Sequence, residues 1–303
     1  MKRILSIFIA LALLVSCYKA EFRTLEEEKL IEVTLEAISL PLSDGSYYDG
    51  SVSILIDGEE YSLNTGDSYT IPELFSPGEY TYYIYTNHTD QSEAYVSYDA
   101  QSGSLIAIVP TVDSDGNIDP NPNEIYFGTE TIEISEDATV VVGYDTSTLG
   151  RDLIFQLTLD GDAESRLVSF TAKLNGVAQQ WDCLNDTPYG SSASVLPTLT
   201  KSSGVALSSV SRSSGDSYYL EGAIHLLGVS TSDSQILTIE LGYEDEHPTT
   251  HIYEKDVTDM LSDFNNDKSS SMILSSIVET PTQLNPEGSI GDWKVTEYEV
   301  EAK

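Results

Sequence analysis

Five oxygen-bearing side chains between Asp113 and Glu124 have the spacing of a cation loop. Asp113, Asp115, Asn117 and Asp119 stand at alternate positions and Glu124 falls eleven residues after Asp113. This is the order in which an EF-hand loop offers oxygens to Ca²⁺. Two departures count against calcium: Ile118 stands where that turn needs glycine, and Pro120 takes the usual apolar position. The competing reading is a solvated, turn-rich connection, and no cofactor is expected. His247 and His251 lie four apart beside Glu244, Asp245 and Glu246, but Pro248 interrupts them and four histidines in the chain leave no obvious third ligand. No G-x-S-x-G elbow, G-x-G-x-x-G, P-loop or HExxH pattern occurs. Acidic pairs for glycoside hydrolysis carry no information in a chain with 50 Asp and Glu, where pairs occur at every separation. The expectation is a protein that is not an enzyme.

A third chemistry is covalent. Lys2 and Arg3 precede an apolar run from Ile4 to Val15 that is well short of the ~20 residues of a spanning helix. It ends in Leu14-Val15-Ser16-Cys17, which resembles the lipobox of bacterial lipoproteins. The expected cut lies between Ser16 and Cys17, and Cys17 then carries the acyl chains, such as palmitate, that hold the protein to the cell outer membrane. Each buried CH₂ contributes about 0.8 kcal/mol, so several chains make a stable anchor where one does not. The one other cysteine, Cys183, is left without a disulfide partner.

With 14 Lys and Arg against the 50 acids the formal charge is -36, and loss of Lys2 and Arg3 with the leader takes it to -38. Such a surface repels phosphate, so nucleic acid is not an expected partner. An apolar fraction of 40% is too high for an acidic disordered chain. Short alternating or apolar runs separated by Gly, Pro, Asp and Asn predict strands. They lie at Leu30–Ile38, Val52–Ile56, Tyr80–Thr86, Leu105–Val109, Thr139–Tyr144, Leu153–Leu159, Leu167–Leu174, Val205–Leu207, Tyr218–Leu227, Ile236–Tyr243, Met272–Val278 and Trp293–Val300. Asp57-Gly58 predicts a type I′ hairpin turn, because both central residues there need positive φ. A single helix is predicted from Thr258 as N-cap, with Met260, Leu261 and Phe264 on its apolar face. The reading is all-β: two tandem antiparallel β-sandwich domains at 30–123 and 124–303, behind a signal peptide (1–16) and a lipidated spacer (17–29).

In the run EYTYYIYTNH, Tyr80 and Tyr82 face one side of a strand and Tyr83 and Tyr85 the other. A strand with rings on both faces reads as buried or covered by a partner, rather than as a carbohydrate platform. The lipobox, a first β-domain, then IYFGTETIEI, ATVVVGYDTSTLGRDLIFQLTLDG, VSFTAKLNGVAQQWD and YEKDVTDML together resemble the fimbrial anchor and minor fimbrillin lipoproteins of Bacteroidetes. The shared features include a strand ending near Leu149-Gly150-Arg151-Asp152 and a turn at Val257-Thr258-Asp259. The resemblance implies two transthyretin-like Greek-key sandwiches, a lipid anchor at Cys17, surface exposure, and other fimbrial subunits as partners joined by strand addition. An anchor or accessory subunit fits, because Arg23, the one candidate for processing, lies close to the lipid. Under this reading an open sheet edge accepts a partner strand, or Trp293–Val300 is the strand lent or covered. The alternative is a surface lipoprotein that binds glycan for a polysaccharide uptake system, with a glycan or host molecule as ligand.

Overall fold

The computed structural model describes residues 30–35, 37, 39–40, 47–87, 92–135, 140–142, 146–159, 167–204, 217–244, 249–266, 268–279 and 289–298. Cys17, Ser16, His247 and the expected strand at Val205–Leu207 lie outside them. The strands are β1 (Ile31–Leu35), β2 (Ser51–Ile56), β3 (Glu59–Asn64), β4 (Tyr69–Phe75), β5 (Gly78–Asn87), β6 (Tyr95–Asp99) and β7 (Ser104–Ile108). Next come β8 (Asn117–Ile118), β9 (Tyr126–Ile134), β10 (Val140–Val142), β11 (Ser147–Thr148), β12 (Arg151–Leu159), β13 (Leu167–Asp182) and β14 (Thr187–Val195). The last are β15 (Thr200–Gly204), β16 (Ser217–Leu226), β17 (Ile236–Tyr243), β18 (Thr249–Asp256), β19 (Ser271–Glu279), β20 (Ser289–Ile290) and β21 (Lys294–Tyr298).

These strands form four sheets, so the chain is all-β as expected. The first pair comprises the order β10-β1-β4 and the order β11-β9-β5-β2-β3. The second pair comprises β15-β16-β12-β19-β20 with β21 also on β19, and β18-β17-β13-β14-β8 with β7 on β13 and β6 on β7. Pairing is mostly antiparallel, with parallel exceptions at β1/β10, β12/β19 and β14/β8. Sheet membership crosses residue 123 in both directions: β9, β10 and β11 sit in the first pair of sheets, while β6, β7 and β8 sit in the second.

Alternation fills the interiors. Ile31, Val33 and Leu35 of β1 face Val52, Ile54 and Ile56 of β2 in one core, and a larger core is built on Leu153, Phe155 and Leu157 with Leu174, Val177 and Leu241. Each such fully buried aliphatic side chain is worth about 1.5–3 kcal/mol. The turn between β2 and β3 has Asp57 at φ 52° and Gly58 at φ 80°, the double positive φ that the sequence predicts. β5 is buried on one face and covered on the other at Tyr83 and Tyr85, while Thr81 on that second face is exposed. Tyr82 and Ile84 enter the first core, Tyr85 enters the second, and Tyr83 stacks on Phe127 at 6.2 Å. At Tyr83 and Tyr85 the second face of the tyrosine strand is therefore covered by the chain's own second sandwich.

The predicted helix at Thr258 is instead one 3₁₀ turn, Asp259–Leu261. Thr258 makes no capping bond there; its hydroxyl accepts from the backbone N–H of Gln235. Leu261 and Phe264 are buried as the pattern demanded, so the apolar positions are right and the helical continuation is not. Among the described residues no helix is long and apolar enough to cross a membrane.

Candidate functional site

The Asp-rich connection closes on itself. Asp113 accepts from the N–H of Asp115 (2.9 Å), the N–H of Asn117 (3.0 Å) and the Asn117 side-chain amide (2.7 Å). That amide in particular holds the Asp113 carboxyl below the usual carboxylate range. Asp119 accepts from the N–H of Asn121, and Glu124 from the hydroxyl of Tyr126. The positive φ that the turn needs is supplied by Gly116, while Asn117 and Ile118 are buried as β8 on the edge of β14. Among the described residues no group of three or more His, Cys, Asp or Glu converges as a metal site. His251 stands on β18 in an aromatic row, 5.8 Å from the Tyr243 ring and 6.4 Å from that of Tyr253.

Two segments singled out in the sequence meet in space. At the Leu149-Gly150-Arg151-Asp152 motif β11 ends at Thr148, as the sequence suggested, and Arg151 opens β12. Its guanidinium is 1% exposed and donates to the carbonyls of Ser270 (2.6 Å), Asp263 (3.2 Å) and Phe264 (3.3 Å) and to the Ser270 hydroxyl (3.0 Å). The segment after Val257-Thr258-Asp259 is thereby pinned to the start of β12. These carbonyls take bonds from Arg151, which is one physical reason the turn does not run on as a helix. Gly150 belongs to the same corner, because a Cβ there would meet the His225 ring at once.

A second buried cluster closes the β13–β14 turn. Trp181 is fully buried and donates through Nε1 to Asp186 (3.0 Å), whose φ of 50° shapes the turn. Lys268 sits 3.6 Å from the Trp181 ring centroid and 3.2 Å from the same carboxylate. Burial lowers the Lys268 pKa, and Asp186 works against that shift. Beside them burial pushes the Cys183 thiol up to about 12. A thiol with that pKa is thiolate about a thousandfold less often at pH 8 than an ordinary cysteine. Alkylation of Cys183 in the native Cys17→Ser protein is therefore expected to be slower than in the urea-unfolded protein by about that factor. Equal rates, read by mass spectrometry, would contradict the buried placement.

Two clefts open at sheet edges. One, of about 330 Å³, lies between edge strand β18 and the link from β20 to β21, with Leu237, Ile239, Tyr253, Ile290 and Trp293 in its wall and Glu254, Lys255 and Asp292 beside them. The other, of about 280 Å³, lies between β3 and the end of β4 in the first sandwich, with Ile56, Tyr61, Leu74, Phe75 and Tyr80 in its wall. Neither edge location was legible as a site in the sequence, because an edge is defined by which strands pair.

No family model matches the chain, and no curated protein matches it in sequence. Solved structures do match in fold. The fimbrial anchor protein Mfa2 from Porphyromonas gingivalis superposes with a TM-score of 0.53 at 11% identity, over 89% of this chain and 98% of that one. A candidate adhesin from Bacteroides thetaiotaomicron gives 0.53 at 14% identity, over 90% and 99%. A candidate polysaccharide-binding protein from the same organism gives 0.51 at 7%, over 90% and 100%. What is shared at these identities is the fold, across both sandwiches, and Mfa2 is by name a member of the anchor class that the sequence resembles. None of the three is named as an enzyme.

Proposed function

We propose that this chain is a lipid-anchored, surface-exposed subunit of a fimbrial adhesion system, an anchor or accessory subunit that joins other subunits by strand addition. The observation that carries this is the fold held in common with a fimbrial anchor over nearly the whole of both chains. The lipobox at Cys17 supplies the tether to the outer membrane. The formal charge of -38 left after loss of Lys2 and Arg3 keeps the body off an anionic surface. Strand addition suits a molecule with open sheet edges, since an incoming strand gains backbone hydrogen bonds there and places alternate side chains in pockets.

The test is Cys17→Ser. The native protein should incorporate labelled palmitate, sediment with the outer membrane, be cut by protease added to intact cells, and co-purify with fimbrial subunits. The variant should lose the label and leave the membrane. A native protein that carries no label, or resists protease on intact cells, would remove the anchor reading. Glycan binding is the second reading, favoured by the name of one structural neighbour and by Tyr253 and Trp293 in one cleft. Retention on a polysaccharide array, lost on Tyr253→Ala, would support it over assembly.

A further inference from the structure

We propose that the cleft between β18 and the β20–β21 link is the docking place of a partner's extended strand, basic in charge and apolar at alternate residues, which pairs with β18. This rests on the strand-addition reading above and assigns it to one edge. Proteins usually defend a free edge with charge, proline, bulges or shortness. The first sandwich does so: β4 carries Pro72 and pairs with β1 through a register irregularity, and β3 begins with exposed Glu59 and Glu60. β18 is eight residues long, runs in unbroken register against β17 from Ile236↔Asp256 to Tyr243↔Thr249, and contains no proline. Among the described residues it is paired on that side alone.

Ile252 at the middle of β18 is 64% exposed, and the charges that guard this edge, Glu254, Lys255 and Asp256, are confined to its last three residues. Inside the edge, Leu237 and Ile239 from one sheet and Ile290 and Trp293 from the other form the wall, so the open flank of the second sandwich leads to its core. Val295, opposite Leu274 and therefore on the inner face of β21, is still 37% exposed on that same sheet's edge. Charge selects the occupant. Glu254 and Asp292 stand at the cleft against Lys255, on a chain with 50 acids and 14 bases. A second mature copy of this chain would bring the same net charge of -38 to the contact, whereas a basic strand is drawn in.

The experiment is amide hydrogen exchange on the Cys17→Ser mature chain with a nine-residue peptide alternating valine with lysine and threonine, and with its counterpart carrying glutamate for lysine. The lysine peptide should slow exchange across Thr249–Asp256 by about tenfold or more, and the glutamate peptide should not. In Glu254→Lys/Asp292→Lys, two exposed changes, the preference should reverse. The cleft assignment is overturned by equal protection from both peptides, by an unreversed preference, or by no protection of β18. It is overturned too if β18 becomes protected without peptide as protein concentration rises, which is self-association, or if oligosaccharides protect it instead. Protection of β3 or β4 in its place would remove this edge alone and leave strand addition, and the membrane and co-purification results, standing.

Discussion

Replacing Arg151 with methionine is expected to lower the unfolding free energy by about 3–5 kcal/mol, because buried carbonyls left without a donor cost about 1–3 kcal/mol each. Arg151 donates to three carbonyls and one hydroxyl in the 263–270 segment and lies over the Phe264 ring at 5.4 Å. Methionine fills much of the volume and makes none of those bonds. Against a total stability of about 5–15 kcal/mol this is a large share. Arg151→Lys keeps the charge but has a single ammonium in place of the planar fork, so it should fall between methionine and the native protein. Urea unfolding followed by tryptophan fluorescence measures both, since Trp181 lies beside the same segment through Lys268. A methionine variant within about 1 kcal/mol of the native protein would mean that the guanidinium is not what holds the turn.

How far the sequence could be read follows from where each signal resides. Ile236–Tyr243 was legible to the residue, because ILTIELGY alternates on one buried face, and Asp57-Gly58 was legible because a turn with two positive φ values is a local demand. The strands missed lacked a local signature. Tyr69–Phe75 contains Pro72, which argues against a central strand and is tolerated here at an edge. Thr187–Val195 is rich in Ser with a single buried residue, Val195, and it is a strand because β13 extends to sixteen residues and offers it a partner. The helix expected at Thr258 failed through tertiary competition: Gln235 takes the capping hydroxyl and Arg151 the carbonyls. The tyrosines of β5 pointed to cover on both faces, but only the packed structure shows that the cover over Tyr83 and Tyr85 is the chain's own second sandwich. The candidate cleft is the extreme case. Ile252 and Trp293 are some forty residues apart in sequence, and their meeting at one flank depends on the order of two whole sheets.

Truncation before Asp292 is expected to leave the second sandwich unable to fold at 37 °C. The sequence alone allowed Trp293–Val300 to be a strand lent to a neighbour. In the structure β21 pairs with β19 from Ser271↔Tyr298 to Ser275↔Lys294, and Trp293 is packed in the larger core at 8% exposure. Burying roughly 200 Å² of indole at about 25 cal/mol per Å² is worth about 5 kcal/mol. Trp293→Ala should by itself cost about 3–5 kcal/mol. Deletion from Lys294 onward keeps the indole but uncovers the edge of β19, and should be the milder change. Circular-dichroism melts rank the three, with full truncation lowest. If the chain ending at Gly291 melted with the native protein, β21 would be dispensable and free to be lent after all. With β21 paired to β19 in its own sheet, lending it to a neighbour would carry that energetic cost. Under the proposed strand addition, a partner strand is therefore expected at an edge that already stands open, and the eight-residue run of β18 is one such edge.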